Sequence, residues 1–237
     1  MAPPALRYTP RVQEPGASSR RGWFITVEGP DGAGKTTQAE SLVRHLRAQG
    51  IDALLTREPG GTPLGEQIRD LLLGGAAPAS TAALTDAFLF NAARRQLVTD
   101  VLRPTLASGR TVVCARYADS TLAYQGYGAG VPLDRLRALE AIATDGLVPD
   151  LTILLDLSAE AGLARKGADE LPRFEGFDLA FHRRVRDGFL ALAASEPERF
   201  AIVDASRPAE DVATAVNTAA AHLVGAGEPK PVAARTT

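Results

Sequence analysis

The sequence predicts a three-layer α/β/α fold in which a five-stranded parallel sheet is surrounded by helices. Three observations carry this reading. Five short apolar runs are continuous rather than alternating, as strands covered on both faces require. Stretches with helical spacing separate the runs. The first run leads directly into a glycine-rich turn and then a helix, the arrangement of a phosphate-binding loop.

The runs are Trp23–Glu28, Ala53–Arg57, Thr111–Ala115, Leu151–Leu157 and Ala201–Asp204. Between the first two, Ala39, Leu42, Val43 and Leu46 recur at helical spacing within Thr36–Gln49, and Gly50 follows as a stop. Thr62 followed by Pro63 reads as an N-cap and first position of a helix ending near Leu73. Ala82–Ala107 reads as a long helix interrupted near Pro104. Leu133–Thr144, Ser158–Lys166, Phe177–Ala194 and Ala209–Leu223 complete the helical set. Strand order does not follow from this pattern.

Composition narrows the class. The chain has 237 residues, 45% of them apolar and 23% charged, which suits one soluble α/β domain. A net charge of −2 offers no global basic field for nucleic acid. No apolar run approaches membrane-spanning length, and Met1–Gly22 lacks the apolar core of a secretory signal. The single cysteine, Cys114, allows no internal disulfide and fits a reducing cytoplasm. The proline-rich stretch 1–21 and the stretch 225–237 are expected to be disordered tails flanking a domain over 22–224. Of 26 basic residues only Lys35, Lys166 and Lys230 are lysines.

One of those lysines lies in a motif. After Glu28 the chain reads Gly29-Pro30-Asp31-Gly32-Ala33-Gly34-Lys35-Thr36-Thr37, which is G-x-x-x-x-G-K-T between a strand and a helix. Such a loop turns its backbone N–H groups and a helix N-terminus toward phosphate oxygens. Lys35 would sit on the β- and γ-phosphates of ATP, and the Thr36 hydroxyl would ligate Mg²⁺. The fold is therefore expected to be of the P-loop NTPase type. The chain lacks the N-K-x-D element of guanine readers and a strand ending in Asp-Glu, so a kinase of a small acceptor leads over a GTPase or a motor.

Acceptor candidates cluster at the predicted C-terminal strand ends, where α/β proteins bind ligands. Strand two runs into Arg57-Glu58-Pro59-Gly60-Gly61-Thr62, and strand three into Arg116-Tyr117-Ala118-Asp119-Ser120-Thr121-Leu122-Ala123-Tyr124-Gln125-Gly126. Phe90 and Arg94 share a helix face, so a ring and a guanidinium could meet a base, although an isolated phenylalanine is more often core. Arg57 fits a structural ion pair as well as a ligand role.

Together, in this order and spacing, the phosphate loop, Arg-Glu-Pro-Gly-Gly-Thr and Asp-Ser-Thr-Leu-Ala-Tyr-Gln-Gly resemble the bacterial branch of the thymidylate kinase family, over about Trp23–Leu223. The resemblance implies phosphoryl transfer from ATP to dTMP, with Mg²⁺, in a homodimer formed along the 82–107 region. It implies that Phe90 stacks on thymine, Arg94 meets O4, and Gln125 with Thr121 reads the base edge. Tyr124 would block a 2′ hydroxyl, Asp31 and Glu58 would lie near the 3′ hydroxyl, and Arg69 and Arg116 would hold the acceptor phosphate. It further implies a lid at about 165–174, where Arg165 or Arg173 would reach the transferring phosphate and Lys166 is a lesser candidate. A deoxynucleoside or another monophosphate remains as an alternative acceptor.

One departure stands out. The family usually carries Asp before the arginine that ends strand three, and this chain has Ala115 before Arg116. The absent acid normally helps to hold Mg²⁺. Three readings stay open: Asp31 or Glu28 compensates, the protein is a weakly active or inactive nucleotide-binding relative, or the alanine is an introduced substitution.

Overall fold

The computed structural model describes residues 21–74, 82–165 and 178–225. Five parallel strands, β1 (Phe24–Glu28), β2 (Ala53–Arg57), β3 (Thr111–Ala115), β4 (Leu151–Asp156) and β5 (Phe200–Asp204), form one sheet in the order β2-β3-β1-β4-β5. β1 is central, pairing Val27 with Ala115 of β3 and with Ile153 of β4. The chain builds one side of β1 and then the other. Loops leaving the C-terminal ends of β1 and β3 therefore diverge, and a crevice opens between them.

Side-chain alternation makes the three layers. Ile25, Val27, Val113, Ala115, Ile153 and Leu155 face α1 (Lys35–Ala48) and α9 (Ala209–Gly225), where Leu42, Val43, Leu46, Val212, Val216 and Ala220 meet them. Phe24, Val112 and Cys114 face the opposite layer and pack on Leu97, Val98, Leu102 and Leu106. On that side Leu154 packs on Phe181, Val185 and Phe189 of α8 (Leu179–Ser195). Apolar residues on both faces of each strand are what made the runs continuous.

Local signals explain most helix ends. Thr62 Oγ1 accepts from Gly65 N at 2.9 Å at the head of α2 (Pro63–Leu73), and Asp178 Oδ1 caps α8 through Phe181 N at 2.7 Å. The stretch read as one helix broken near Pro104 is instead α3 (Ala83–Leu97), a π-helical turn over Val98–Leu102, and α4 (Arg103–Ala107). Proline lacks the N–H and its ring crowds the preceding turn, so the helix widens ahead of Pro104 rather than stopping. After β3 come a one-turn helix, α5 (Ala118–Thr121), and a second π-helical segment, Leu122–Gly128, neither of which the sequence pattern revealed. α6 (Leu133–Thr144) packs on α3, and α7 (Ala159–Arg165) follows β4. Arg21, read from sequence as part of a tail, forms a two-pronged pair with Asp150 at 2.6 and 2.7 Å.

Candidate active site

The phosphate loop follows the centre of the sheet. Gly32 (φ 76°) and Gly34 (φ 85°) take left-handed backbone that other residues resist. Gly34 is also the N-cap of α1. A side chain at Gly32 would strike the carbonyl of Gly162 in α7, and one at Gly162 would strike the carbonyl of Asp31. Two glycines thus let α7 press directly on the loop. Lys35 Nζ donates to the carbonyls of Gly29 at 2.9 Å and Pro30 at 2.6 Å, which holds the ammonium across the loop. Thr36 is exposed at the first turn of α1.

Beside this loop lies a cavity of about 190 Å³. It is lined by all nine residues that the resemblance implied for the acceptor: Asp31, Glu58, Arg69, Phe90, Arg94, Arg116, Thr121, Tyr124 and Gln125. Leu73, Pro59, Tyr117 and Ser120 complete the lining. Phe88 is 56% exposed and outside it, so of the two neighbouring rings only Phe90 faces the cavity.

One end is a buried polar cage. Arg94 is 1% exposed. Its Nε donates to Glu58 Oε2 at 2.8 Å, and its Nη2 donates to the Tyr117 carbonyl and Thr121 Oγ1, each at 3.0 Å. Nη1 donates to Asn91 Oδ1 at 3.0 Å, and its second hydrogen has no acceptor among the described residues. Asn91, which the sequence reading passed over, is itself held by the Ala87 carbonyl at 2.9 Å. Burial pushes the Glu58 carboxyl up to about 7, against the pull of Arg94. Such an end suits a flat, uncharged group with a carbonyl to accept one hydrogen bond.

The other end is cationic. Arg116 Nη2 pairs with Asp31 Oδ1, its Nη1 donates to Ser120 Oγ at 3.3 Å, and the guanidinium lies 5.0 Å from the Tyr124 ring centre. Arg116 is a non-glycine residue at φ 67°, a strained backbone that the surroundings must hold. They do so through Arg116 N to the Val27 carbonyl at 3.0 Å and Tyr117 N to Glu28 Oε1 at 2.6 Å. Arg69 donates to the Pro59 carbonyl at 3.0 Å. Burial lowers its pKa, and so do the like charges of Arg57 and Arg116. An anion such as a phosphate relieves that repulsion. Arg57 itself pairs with Glu66 at 3.1 Å on the surface and does not line the cavity.

Thr36, Glu40 and Ala115 share a second cleft on the α1 side of the sheet, with Thr56, Arg57 and Glu66. No carboxylate comes from β3 there, because Ala115 stands at its end. Glu28 does not line this cleft: it is wholly buried, with one oxygen on Tyr117 N and the other accepting from Ser120 Oγ at 2.6 Å. Burial raises its pKa to about 7. Asp31 lines the first cavity instead, against Arg116.

Arg165 ends α7 and donates to the carbonyls of Ala205 at 2.9 Å and Ser206 at 3.5 Å, beyond β5, so it does not line the acceptor cavity. Lys166 and Arg173 fall outside the described residues, as does most of the expected lid and of both expected tails.

Comparison with known proteins gives the family. The family model described as Thymidylate kinase matches residues 27–216. A thymidylate kinase of Deinococcus radiodurans is 52% identical over 193 residues, covering 81% of this chain and 93% of that protein. One from Thermomicrobium roseum is 51% identical over 211 residues, covering 88% and 99% respectively. The crystal structure of thymidylate kinase from Ehrlichia chaffeensis superposes with a TM-score of 0.67 at 32% identity, covering 86% of this chain and 99% of that one. By the family model over most of its length and near-complete coverage of these relatives, the chain belongs to the thymidylate kinase family.

Proposed function

We propose that this protein transfers the γ-phosphoryl group of ATP to dTMP, giving dTDP and ADP. The observation that carries the reading is the two-ended cavity beside the phosphate loop. A ring and a buried guanidinium with a spare N–H stand at one end, and Arg69 with Arg116 stands at the other.

Gly29–Thr37 binds the ATP phosphates through backbone N–H groups, and Lys35 shifts from its carbonyls onto phosphate oxygens. Phe90 stacks on thymine, Arg94 Nη1 donates to its O4, and Gln125 with Thr121 completes the base edge. Tyr124 disfavours a 2′ hydroxyl, and Asp31 and Glu58 lie toward the 3′ hydroxyl. Arg69 and Arg116 hold the acceptor phosphate so that one of its ionised oxygens faces the γ-phosphorus. That oxygen forms the new O–P bond as the bond to the β-phosphate oxygen breaks. No general base is needed, because the nucleophile is already ionised, and catalysis is positioning and charge neutralisation. Thr36 fits the single protein hydroxyl that Mg²⁺ takes when nucleotide phosphates and water fill its other positions. When bound, Mg²⁺ neutralises charge on the phosphate oxygens.

We assign the lid to residues 165–174, with Arg165 or Arg173 reaching the transferring phosphate. We place the domain at 22–224, with Arg21 anchored to its edge through Asp150. A homodimer along α3 is supported by exposed Phe88 on α3 and Ile142, 75% exposed, on the adjoining α6. A cytoplasmic setting is supported by the free buried Cys114, and no helix among the described residues is long and apolar enough to cross a membrane.

A coupled ADP-release assay with dTMP, dUMP, dCMP and thymidine tests the reading. Preference for dTMP is expected. Turnover of thymidine in place of dTMP, or of no acceptor at all, would overturn it.

A further inference from the structure

One turn of helix, α5, meets three arginines with three consecutive side chains. Asp119 accepts a fork from Arg199, Oδ2 from Nη1 at 2.8 Å and Oδ1 from Nη2 at 3.0 Å. Ser120 Oγ accepts from Arg116, and Thr121 Oγ1 accepts from Arg94. The last two arginines belong to opposite ends of the acceptor cavity. The first does not line it: Arg199 precedes β5, at the far edge of the sheet, 80 residues along the chain from Asp119.

Arg199 is built in rather than draped on the surface. It is 9% exposed and Asp119 3%. Its Nη1 also donates to Thr152 Oγ1 at 2.6 Å, and Thr152 shares a 2.9 Å hydrogen bond with Thr26 of the central strand. Nε donates to Glu196 at 3.0 Å, and the guanidinium lies 4.4 Å from the Phe200 ring centre. A bidentate pair with this little exposure fixes direction as well as distance, because both partners have lost the water that would let them rotate freely. A short helix has few backbone bonds of its own, so its orientation depends on such side-chain anchors.

We propose that Arg199 is a positioning residue for the acceptor site, its fork on Asp119 setting the turn that aims Arg116 at the phosphate and Arg94 at the base. The proposal rests on the dTMP kinase reading. α5 also touches the end of β1, through Ser120 Oγ on Glu28, but the phosphate loop has holds of its own, Lys35 on the Gly29 and Pro30 carbonyls and the close approach of α7, so the effect falls mainly on the acceptor end. Loss of the fork rotates or loosens α5, and small misplacements of phosphate-holding groups are costly.

The test compares wild type with Arg199→Met and Arg199→Lys, measuring KM for dTMP and for ATP, kcat, and dTMP affinity by calorimetry. For Arg199→Met we expect KM and Kd for dTMP to rise about tenfold or more while KM for ATP stays within about twofold. Arg199→Lys keeps the charge but not the fork, and an intermediate rise is expected. A general loss of folding would not separate the two substrates. If Arg199→Met does not yield folded protein, Arg199→Lys decides alone. An unchanged dTMP KM in the folded variants, or an equal rise for both substrates, overturns the proposal and leaves the kinase reading standing. A wild-type protein that neither turns over nor binds dTMP overturns both.

Discussion

Arg94 and Glu58 form an ion pair, 2.8 Å from Nε to Oε2, with both side chains almost wholly out of solvent. Among the described residues neither charge has another full counter-charge in bonding contact, although Glu140 adds to the field at Arg94. Replacing Arg94 by Met removes the charge that opposes the burial of Glu58, so its carboxyl, already pushed up to about 7, must take up a proton to stay buried. We expect a loss of about 3–5 kcal/mol in urea unfolding at neutral pH. The double variant Arg94→Met/Glu58→Gln should recover much of that loss without recovering dTMP binding. A single variant as stable as wild type would show that the pair does not organise this end of the cavity.

Ala115 gives a second handle. It stands on the cleft that also holds Thr36, so Ala115→Asp would place a carboxylate beside the hydroxyl assigned to Mg²⁺. We expect kcat with ATP and dTMP to rise and half-saturation to occur at lower Mg²⁺. Equal rates and equal Mg²⁺ dependence in the two proteins would remove the metal argument.

Glu140 on α6 is 7% exposed, and its Oε1 is buried without a partner among the described residues. Burial raises its pKa to about 8; Arg94 acts in the opposite sense, and Asp119, Glu58 and Glu28 reinforce the rise. The native state therefore holds this proton between about pH 4.5 and 8, while the unfolded chain releases it. The stabilisation is full below the unfolded pKa and disappears as pH rises through the folded one. Glu140→Gln should match wild type near pH 5 and exceed it near pH 9, by about 1–3 kcal/mol. Melting curves across that range check it, and a constant offset would be contrary.

The contact between α7 and the phosphate loop predicts a local effect of one methyl group. Gly162→Ala drives a Cβ into the Asp31 carbonyl. We expect KM for ATP to rise about threefold or more, since the loop must shift to admit it. An unaltered ATP KM with an intact fold would mean that the close approach is slack.

Several features of this protein are legible in its sequence alone. Continuous apolar runs separated by helical stretches determine a parallel sheet covered on both faces, because that arrangement buries both faces of its inner strands, as β1, β3 and β4 show. The phosphate loop is local in sequence, so its glycines, Lys35 and Thr36 could be read directly. The residues proposed for the acceptor lie in motifs at the ends of β2 and β3 and on α3, and the fold brings all nine to one cavity.

Other features depended on contacts between distant parts of the chain. Strand order, with β1 at the centre, comes from how layers pack and has no local signal. The distinction between Phe88 and Phe90 required the position of α3 against its neighbours. Arg165 is legible in sequence as a candidate lid cation, whereas its bonds to the carbonyls of Ala205 and Ser206 are not, because they depend on the end of α7 lying against the turn after β5. Asn91, Glu140 and Arg199 belong to no motif. Their roles arise from burial, which removes water and leaves each polar group dependent on the partner that the tertiary fold supplies.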